Sequence, residues 1–376
     1  MEEARTGAVE KEKAFWNRRE PAALLSLLRA GLWEQMPDGL SLFPLSEAEW
    51  EEVYLLARRQ TVTGLVWQGI SYLPDEWMPP GKVLVRWVAV VDGIERKNRL
   101  MNRVVMELQD WFRREGLRVV LQKGQGVALF YEKPLWRECG DIDFYFPDKQ
   151  ESERAVELLA RKGVKVQRAA DGSVHYRWRG VEVEHHVRLL DICNPWAQKY
   201  LRHLEETAGF REVSLYQGGT VTVPAPELNL LMLNAHIMKH AMGWGVGLRQ
   251  LCDMARACRV LEKEVDSEKV CEIYRCAGIR KWSNLLYAFL KEQLGLTDEF
   301  VCCKSVGYNS LPLSEIVWRG GNFGWHSEER VCSSQKKWKR KLQTFLFFLQ
   351  NVKFSCKFVI RESFWTIMDL VRGQMR

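Results

Sequence analysis

The segment Gly140-Asp141-Ile142-Asp143-Phe144-Tyr145-Phe146 is the strongest indicator of the architecture of this chain. Apolar residues alternate with two aspartates here, which is the pattern of a half-buried strand. Because successive side chains of a strand point to opposite faces, Asp141 and Asp143 project together, whereas Ile142 and Phe144 point into the core. Two neighbouring carboxylates repel each other unless a cation lies between them, and the usual cation is a divalent metal. The stretch therefore predicts a metal site on a core strand.

The segments around this strand predict a small α+β unit. A strand over residues 118–121 is followed by Lys123-Gly124-Gln125-Gly126, which turns into a helix through Tyr131. After the aspartates we predict a helix over 149–162 and strands over 164–168, 174–179 and 181–187, with a tight turn at Arg179-Gly180 joining the last two. This order predicts an α+β fold with a small mixed β-sheet.

Helical patterns flank this unit on both sides. Apolar residues have helical spacing over 24–32, 50–70 and 94–115, and the pattern returns after Pro226. Since 376 residues are many for one core, we expect several subdomains. We predict an N-terminal helical region (1–93), a central α+β core (94–223) and a C-terminal helical region (224–376).

Composition limits the class of protein. The net charge of +7 suits a protein that meets anionic ligands such as nucleotides. All ten cysteines lie from Cys139 onward without paired CxxC spacing, which favours reduced thiols in a cytoplasm over a disulfide framework or a zinc site. We expect no signal peptide and no membrane span. The basic run 336–341 suits either contact with an anionic surface or the solvated start of a helix.

The turn before the aspartate strand is a candidate phosphate site. A glycine-rich turn that enters a helix offers backbone N–H groups to a phosphate, and the lysine of Lys123-Gly124 adds a charge. We include Gln125 of the same turn. Two roles are open for Arg137. It could contact a phosphate or orient a carboxylate of the site, or it could form a structural ion pair with a nearby acid. Gly140 would let backbone or nucleotide approach the sheet edge.

A later strand supplies the candidate third acid. Glu182 and Glu184 share one face of the strand over 181–187, and either could complete a three-carboxylate cluster. Such an acid binds a metal and can take a proton from the acceptor. His186 shares the face of Glu184 and could aid substrate binding. The arrangement suits transfer of a nucleotidyl group.

The downstream helical pattern contains two further pairs. His236 and His240 are four residues apart, a spacing that can hold zinc, but the glutamate of the metalloprotease pattern is missing. We therefore favour a helix face that lines the cleft, or packing of this face in the core, over zinc binding. Arg249 and Asp253 have the spacing of a local ion pair on a helix.

Three of these motifs together resemble the uncharacterised bacterial nucleotidyltransferase family of the DNA polymerase beta superfamily. They are the Lys-Gly turn in 119–124, the Arg before a Gly-Asp-x-Asp strand in 135–143, and the acid-x-His strand in 183–189. The resemblance extends to the helix pair with His236 and His240 and to a late loop over 321–324. It covers most of the chain from about residue 20.

The resemblance implies roles for individual residues. Asp141 and Asp143 match the metal-binding pair, and Glu184 matches the third acid better than Glu182 because His186 then aligns with the family's histidine. The Lys123-Gly124 turn takes the place of a Gly-Ser turn that holds the triphosphate. The resemblance also implies two Mg²⁺ ions, with Mn²⁺ as a possible substitute, and an NTP as donor.

The predicted function is metal-dependent transfer of NMP from NTP to an acceptor hydroxyl, with release of pyrophosphate. Glu184 would hold one metal and help deprotonate the acceptor, which could be a small molecule, RNA or protein. Two alternatives stay open: a toxin-like enzyme that modifies tRNA or protein, and a catalytically silent module that binds nucleotide or a partner.

Overall fold

The computed structural model describes residues 18–169, 171–216, 218–243, 245–300, 307–320 and 352–374. The first α-helices of the described residues are α1 (Arg19–Trp33), α2 (Glu47–Arg59), α3 (Thr63–Ile70) and α4 (Gly81–Arg114). The helical pattern expected over 50–70 is thus two helices. They are separated at Thr61, whose φ of 53° is incompatible with a continuous right-handed helix.

Two glycines allow α1 and α3 to cross closely. A Cβ atom added at Gly69 would lie 1.9 Å from the carbonyl oxygen of Leu27, and one added at Gly31 would lie 2.0 Å from that of Leu65. Real Cβ atoms do not approach backbone oxygens so closely. The absence of side chains at these positions therefore sets the distance between the helices.

Helix α4 begins earlier than the apolar pattern predicts. It has 34 residues and starts directly after Pro80, whose fixed φ suits the entry into a helix, rather than near Ile94. Val83, Trp87 and Val91 form a buried stripe in the added part, but the exposed Val85 and Val88 obscure this stripe in the sequence. The helix ends at Arg114, close to the predicted end at 115, and Gly116 with a φ of 75° follows its C-cap. The predicted boundary after residue 93 lies inside α4, and the division into domains stays a prediction.

The central unit is a five-stranded mixed sheet with order β1-β2-β5-β4-β3, which confirms the predicted α+β fold. Strands β2 and β5 are parallel, and the other neighbours are antiparallel. Its strands and helices are β1 (Val120–Leu121), α5 (Lys123–Ala128), β2 (Ile142–Tyr145), α6 (Lys149–Arg161), β3 (Gln167–Arg168), β4 (Val174–Trp178) and β5 (Val181–His186).

The turn at Arg179-Gly180 joins β4 to β5 as a hairpin, as predicted. Both residues have positive φ, 48° and 82°, which is the backbone conformation that two-residue hairpin loops require.

A helix and a second hairpin follow, in a region to which the sequence patterns assigned no element. They are α7 (Pro195–Ala208), β6 (Phe210–Ser214) and β7 (Thr220–Pro224). The two strands pair antiparallel. Residues of β6 are half-buried or exposed, so this strand lacks the apolar alternation that would reveal it in the sequence.

The described residues after 225 are mostly helical. The helices are α8 (Pro226–Met242), α9 (Leu248–Leu261), α10 (Ser267–Cys276), α11 (Arg280–Leu294), α12 (Leu311–Gly320), α13 (Val352–Phe358) and α14 (Ile360–Gln374). One hydrophobic core contains buried residues of α1–α3 together with those of α8, α9 and α11. A second core lies between α4 and the sheet and includes Phe112, Ile142 and Phe144.

Helix α14 reaches back to the segment that follows the sheet. The buried carboxylate of Glu362 accepts hydrogen bonds from the backbone N–H groups of Cys193 and Asn194, immediately before α7. Because a carboxylate satisfies N–H groups that have no partner within the helix, the contact fixes the entry into α7.

Among the described helices, none has the length and apolar character needed to cross a membrane. The basic run 336–341 and the late loop 321–324 lie outside the described residues.

Candidate active site

The site forms where β2 and β5 run side by side. Their parallel register places the Cα atom of Asp143 opposite that of Glu184, and His186 lies two residues further along β5 on the same face. One ligand atom from each of these side chains lies within 4.8 Å of the other two. The register of the two strands is therefore sufficient to bring Glu184 and His186 of β5 together with Asp143 of β2.

His186 connects the two acids. Its Nε2 lies 2.6 Å from Asp143 Oδ1, and its Nδ1 lies 3.6 Å from Glu184 Oε1. Asp143 is 8% exposed, so its carboxylate needs such partners to compensate for the loss of water. Lys123 supplies a second one, with Nζ at 3.6 Å from Asp143 Oδ1.

The Lys123-Gly124 turn has an unusual backbone. Lys123 has a φ of 26° and Gly124 a φ of 48°, a region that favours glycine. The turn is tied to the sheet because the backbone N–H of Gln122 donates to the carbonyl oxygen of Asp143 at 2.9 Å. The turn forms the start of α5, which has only six residues. The geometry brings the lysine against the acids.

Gln125, the third residue selected from this turn, is buried. Its Nε2 lies 3.5 Å from Met101 Sδ, a weak acceptor, and its Oε1 has no hydrogen-bond partner among the described residues.

Charge balance ties Lys123 to the acids around it. Burial alone would lower the pKa of Lys123, but the carboxylates of Asp143, Asp191, Asp141 and Glu184 together raise it. Burial alone would raise the pKa of Asp143, yet the positive charge of Lys123 and the hydrogen bond with His186 hold it well below its usual range. The lysine is therefore a charged member of the site.

Asp141 occupies a different position from Asp143. It precedes β2, it is exposed, and it is not a member of the ligand group formed by the described residues Asp143, Glu184 and His186. The negative charge of Asp143 raises the pKa of Asp141. The two aspartates therefore interact, but the structure brings only Asp143 into contact with His186.

Arg137 is buried and forms an ion pair with Asp253 of α9. Its Nε and Nη2 lie 2.8 and 2.5 Å from the two carboxylate oxygens, and the Tyr131 hydroxyl donates to the same carboxylate at 2.7 Å. Burial would lower the pKa of Arg137, but the charge of Asp253 raises it well above the usual value. These contacts are those of the ion-pair alternative, and a phosphate-binding role for Arg137 stays a prediction.

Gly140 lies at an open position. A Cβ atom added there would meet no atom within 4 Å, so packing within the described protein does not require a glycine. Lys97 of α4 instead fixes the backbone, because its Nζ donates to the carbonyl oxygens of Cys139 and Gly140 at 2.9 and 3.0 Å.

Glu182 and His185 lie away from the ligand group. Glu182 is exposed and pairs with Arg177 on β4. His185 points to the opposite face, where its Nε2 lies 2.8 Å from the Tyr176 hydroxyl. Of the two candidate third acids, the structure places Glu184 beside Asp143.

Asp191 is a residue of this region that the sequence analysis missed. It lies between β5 and α7 and contacts helix α8, with Oδ2 at 3.5 Å from His236 Nδ1 and Oδ1 at 2.7 Å from Lys239 Nζ. The rings of His236 and His240 meet edge-on, with centroids 4.4 Å apart. No motif surrounds Asp191 in the sequence, and only the fold reveals its position.

The α+β sheet with paired acids on neighbouring strands is the arrangement expected of a nucleotidyltransferase. The model of a protein family described as "Uncharacterised nucleotidyltransferase" matches residues 46–295. Since this match covers more than half of the chain, the protein belongs to that family. The matched region runs from Ser46, the N-cap of α2, to Gly295, which directly follows α11.

Two further comparisons complete this result. A crystal structure described as an antigenic nucleotidyltransferase-like protein from Paracoccidioides brasiliensis aligns with a TM-score of 0.36 at 14% sequence identity, covering 54% of this chain and 92% of that chain. No curated protein matches the sequence.

Proposed function

We propose that this protein transfers an NMP group from an NTP to an acceptor hydroxyl, with release of pyrophosphate. One observation carries the proposal: Asp143, Glu184 and His186 converge within 4.8 Å beside a half-buried, charged lysine. Carboxylates with a neighbouring cation are what a site needs to bind the metal-complexed phosphates of a nucleotide. Membership of the nucleotidyltransferase family supports the same reaction.

The donor set fits a divalent cation. The two carboxylates suit Mg²⁺ or Mn²⁺, and the imidazole favours Mn²⁺ over Mg²⁺. We assign Asp143, Glu184 and His186 to one ion. Asp141, which directly precedes β2, would contribute to a second ion together with the substrate phosphates. Bound ions of this kind neutralise charge on the triphosphate.

The residues of the Lys123-Gly124 turn would bind the triphosphate directly. Lys123 would contact the triphosphate as a point charge, and the N–H groups after Gly124 would add hydrogen bonds. Gln125 has a buried amide without a partner for its oxygen, and it would orient the turn or the nucleotide. Open space beside Gly140 leaves room for a ligand at the sheet edge. Positioning and charge neutralisation would supply most of the rate enhancement.

The acceptor class is the open part of the proposal. We test it by incubating the protein with each α-³²P-labelled NTP, Mg²⁺ or Mn²⁺ and a cell extract, and by following label into RNA, protein and small-molecule fractions. We expect label in one fraction with the wild type and none with Asp143→Asn or Asp141→Asn, while both variants keep their circular dichroism spectrum.

Glu182→Gln and Glu184→Gln form a matched pair for this assay, because both acids lie on β5 and only Glu184 belongs to the ligand group. We expect Glu182→Gln to transfer label at the wild-type rate and Glu184→Gln to lose transfer. Transfer that survives in Asp143→Asn would contradict the proposal. NTP binding without any label transfer would favour the silent binding module.

A further inference from the structure

A further histidine adjoins the ligand group of Asp143, Glu184 and His186. His175 lies on β4, and the register of β4 and β5 places its Cα atom opposite that of Glu184. Its Nδ1 lies 3.6 Å from Glu184 Oε2. The sequence analysis did not select this residue, because a single histidine on a strand belongs to no motif.

The two oxygens of the Glu184 carboxylate have different neighbours. Oε1 lies 3.6 Å from Nδ1 of His186, which is a member of the ligand group, and Oε2 lies 3.6 Å from Nδ1 of His175 on the neighbouring strand. The glutamate side chain has several rotatable bonds, and fixing them costs conformational entropy. A contact at each oxygen therefore limits how far the carboxylate can turn away from the ligand group.

A short polar chain holds the other edge of the His175 ring. Its Nε2 lies 3.1 Å from the hydroxyl oxygen of Ser173, and this hydroxyl donates to Asp171 Oδ1 at 2.7 Å. The backbone N–H of Ser173 donates to the same oxygen at 3.0 Å. Ser173 is buried, so its hydroxyl has a fixed position. Because Nε2 is held by Ser173, the ring presents its second nitrogen, Nδ1, to Glu184.

The next pair along the same two strands differs in one respect. Arg177 on β4 is opposite Glu182 on β5 and forms an ion pair with it. Both side chains are exposed, and Glu182 is not a member of the ligand group that the described residues form. Arg177 and Glu182 thus form a surface ion pair, whereas the contact of His175 leads directly to a proposed metal ligand.

We propose that His175, held by Ser173, positions Glu184 for metal binding. This inference rests on the proposed function. A residue that holds the second oxygen of a ligating carboxylate directs the first oxygen towards the ion, and loss of such a residue typically lowers metal affinity about 10–100-fold. Glu184 remains the ligand, and His175 is a positioning residue that acts through it.

The test measures Mn²⁺ binding to the full-length protein, with free Mn²⁺ followed by electron paramagnetic resonance. His175→Ala should bind Mn²⁺ at least about tenfold more weakly than the wild type. Arg177→Ala is the matched control, because it removes the neighbouring cross-strand contact, and its affinity should stay within about twofold of wild type. His175→Asn can place an amide nitrogen where Nδ1 lies, so its affinity should recover to within about threefold of wild type.

Ser173→Ala tests the chain that holds the ring. Alone it should weaken Mn²⁺ binding at least about threefold, whereas added to His175→Ala it should change the affinity less than about twofold, because changes that act through one contact are not additive. At saturating Mn²⁺, His175→Ala should bind α,β-methylene-ATP, whose methylene bridge prevents transfer of the nucleotidyl group, within about twofold of wild type.

Four results would overturn the inference: wild-type Mn²⁺ affinity in His175→Ala, an equal loss in His175→Asn, an equal loss in Arg177→Ala, or loss of analogue binding by folded His175→Ala at saturating Mn²⁺. If His175→Ala does not fold, Ser173→Ala decides, and wild-type affinity in that variant would refute the proposal. Mn²⁺ affinities that change as expected, without label transfer by the wild type, would contradict the proposed function and still support the positioning of Glu184.

Discussion

His185 and His186 are adjacent in sequence, yet their imidazole rings lie on opposite faces of the sheet. His186 contacts Asp143 in the site, whereas His185 is enclosed by Phe112, Phe144 and Phe146. The alternation of a β-strand produces this separation. One imidazole is thereby available to ligands, and the other belongs to the hydrophobic core.

The buried ring of His185 makes stability depend on pH. Burial lowers its pKa from 6.5 to about 3. Between these pH values the unfolded chain binds more protons than the folded protein, so the free energy of unfolding decreases as pH falls from about 6.5 towards 3. We expect His185→Gln to reduce this slope, measured by urea unfolding at a series of pH values. Parallel pH profiles of wild type and variant would contradict this assignment.

The ion pair between Arg137 and Asp253 predicts a strong coupling. Arg137→Met leaves a buried carboxylate without its cation and should lower the free energy of unfolding by about 3–5 kcal/mol. In Arg137→Met/Asp253→Asn that charge is removed, and Asn can still accept from Tyr131, so we expect a smaller loss than in the single variant. Urea unfolding of both variants measures the coupling.

The same double variant also tests the phosphate role of Arg137. If the arginine serves the ion pair alone, the folded double variant binds α,β-methylene-ATP with wild-type affinity. An affinity at least about tenfold weaker would assign Arg137 to the nucleotide as well.

Lys123 is expected to act on nucleotide affinity. Lys123→Met keeps the length and apolar part of the side chain but removes the charge beside Asp143, so affinity for α,β-methylene-ATP should fall at least about tenfold. Lys165→Met is the matched control, since Lys165 is exposed in the segment before β3. Equal affinity in the two variants would exclude Lys123 from phosphate binding.

Two glycines in helices should respond to alanine in opposite directions. Gly69→Ala places a methyl group against the backbone of Leu27 and should lower the free energy of unfolding by about 1–3 kcal/mol or more. Gly93 in α4 has no atom within 4 Å of an added Cβ, and Gly93→Ala should raise it by about 0.5–1 kcal/mol. Thermal unfolding of both variants checks the close crossing of α1 and α3. An equal loss of free energy of unfolding in Gly69→Ala and Gly93→Ala would contradict that crossing.

Local patterns predicted the centre of the fold well. Alternation in Ile142–Tyr145 and Val181–His186 identified both strands, and the positions of Asp143 and Glu184 on them follow from that alternation. The extra turns of α4 were missed because exposed valines obscure the stripe of Val83, Trp87 and Val91, and the strand β6 was missed because it has no apolar alternation. Tertiary packing, rather than local preference, stabilises such segments.

Contacts between distant segments were the part that the sequence could not provide. Spacing on one helix suggested Arg249 as the partner of Asp253, but the carboxylate accepts both bonds of Arg137, 116 residues away. Asp191 acquires its position only when β5 and α8 come together. The acids of β2 and β5 were predictable as a pair, whereas the register that aligns Asp143 with Glu184 required the structure.

The contact between Glu362 and the segment before α7 also has a meaning for biosynthesis. Glu362 is made 169 residues after Cys193, whose N–H group it accepts. During translation the sheet and the segment with Asp191 therefore leave the ribosome long before their anchor exists. The newly made core must remain without this anchor until α14 has been synthesised, and the entry into α7 is completed last.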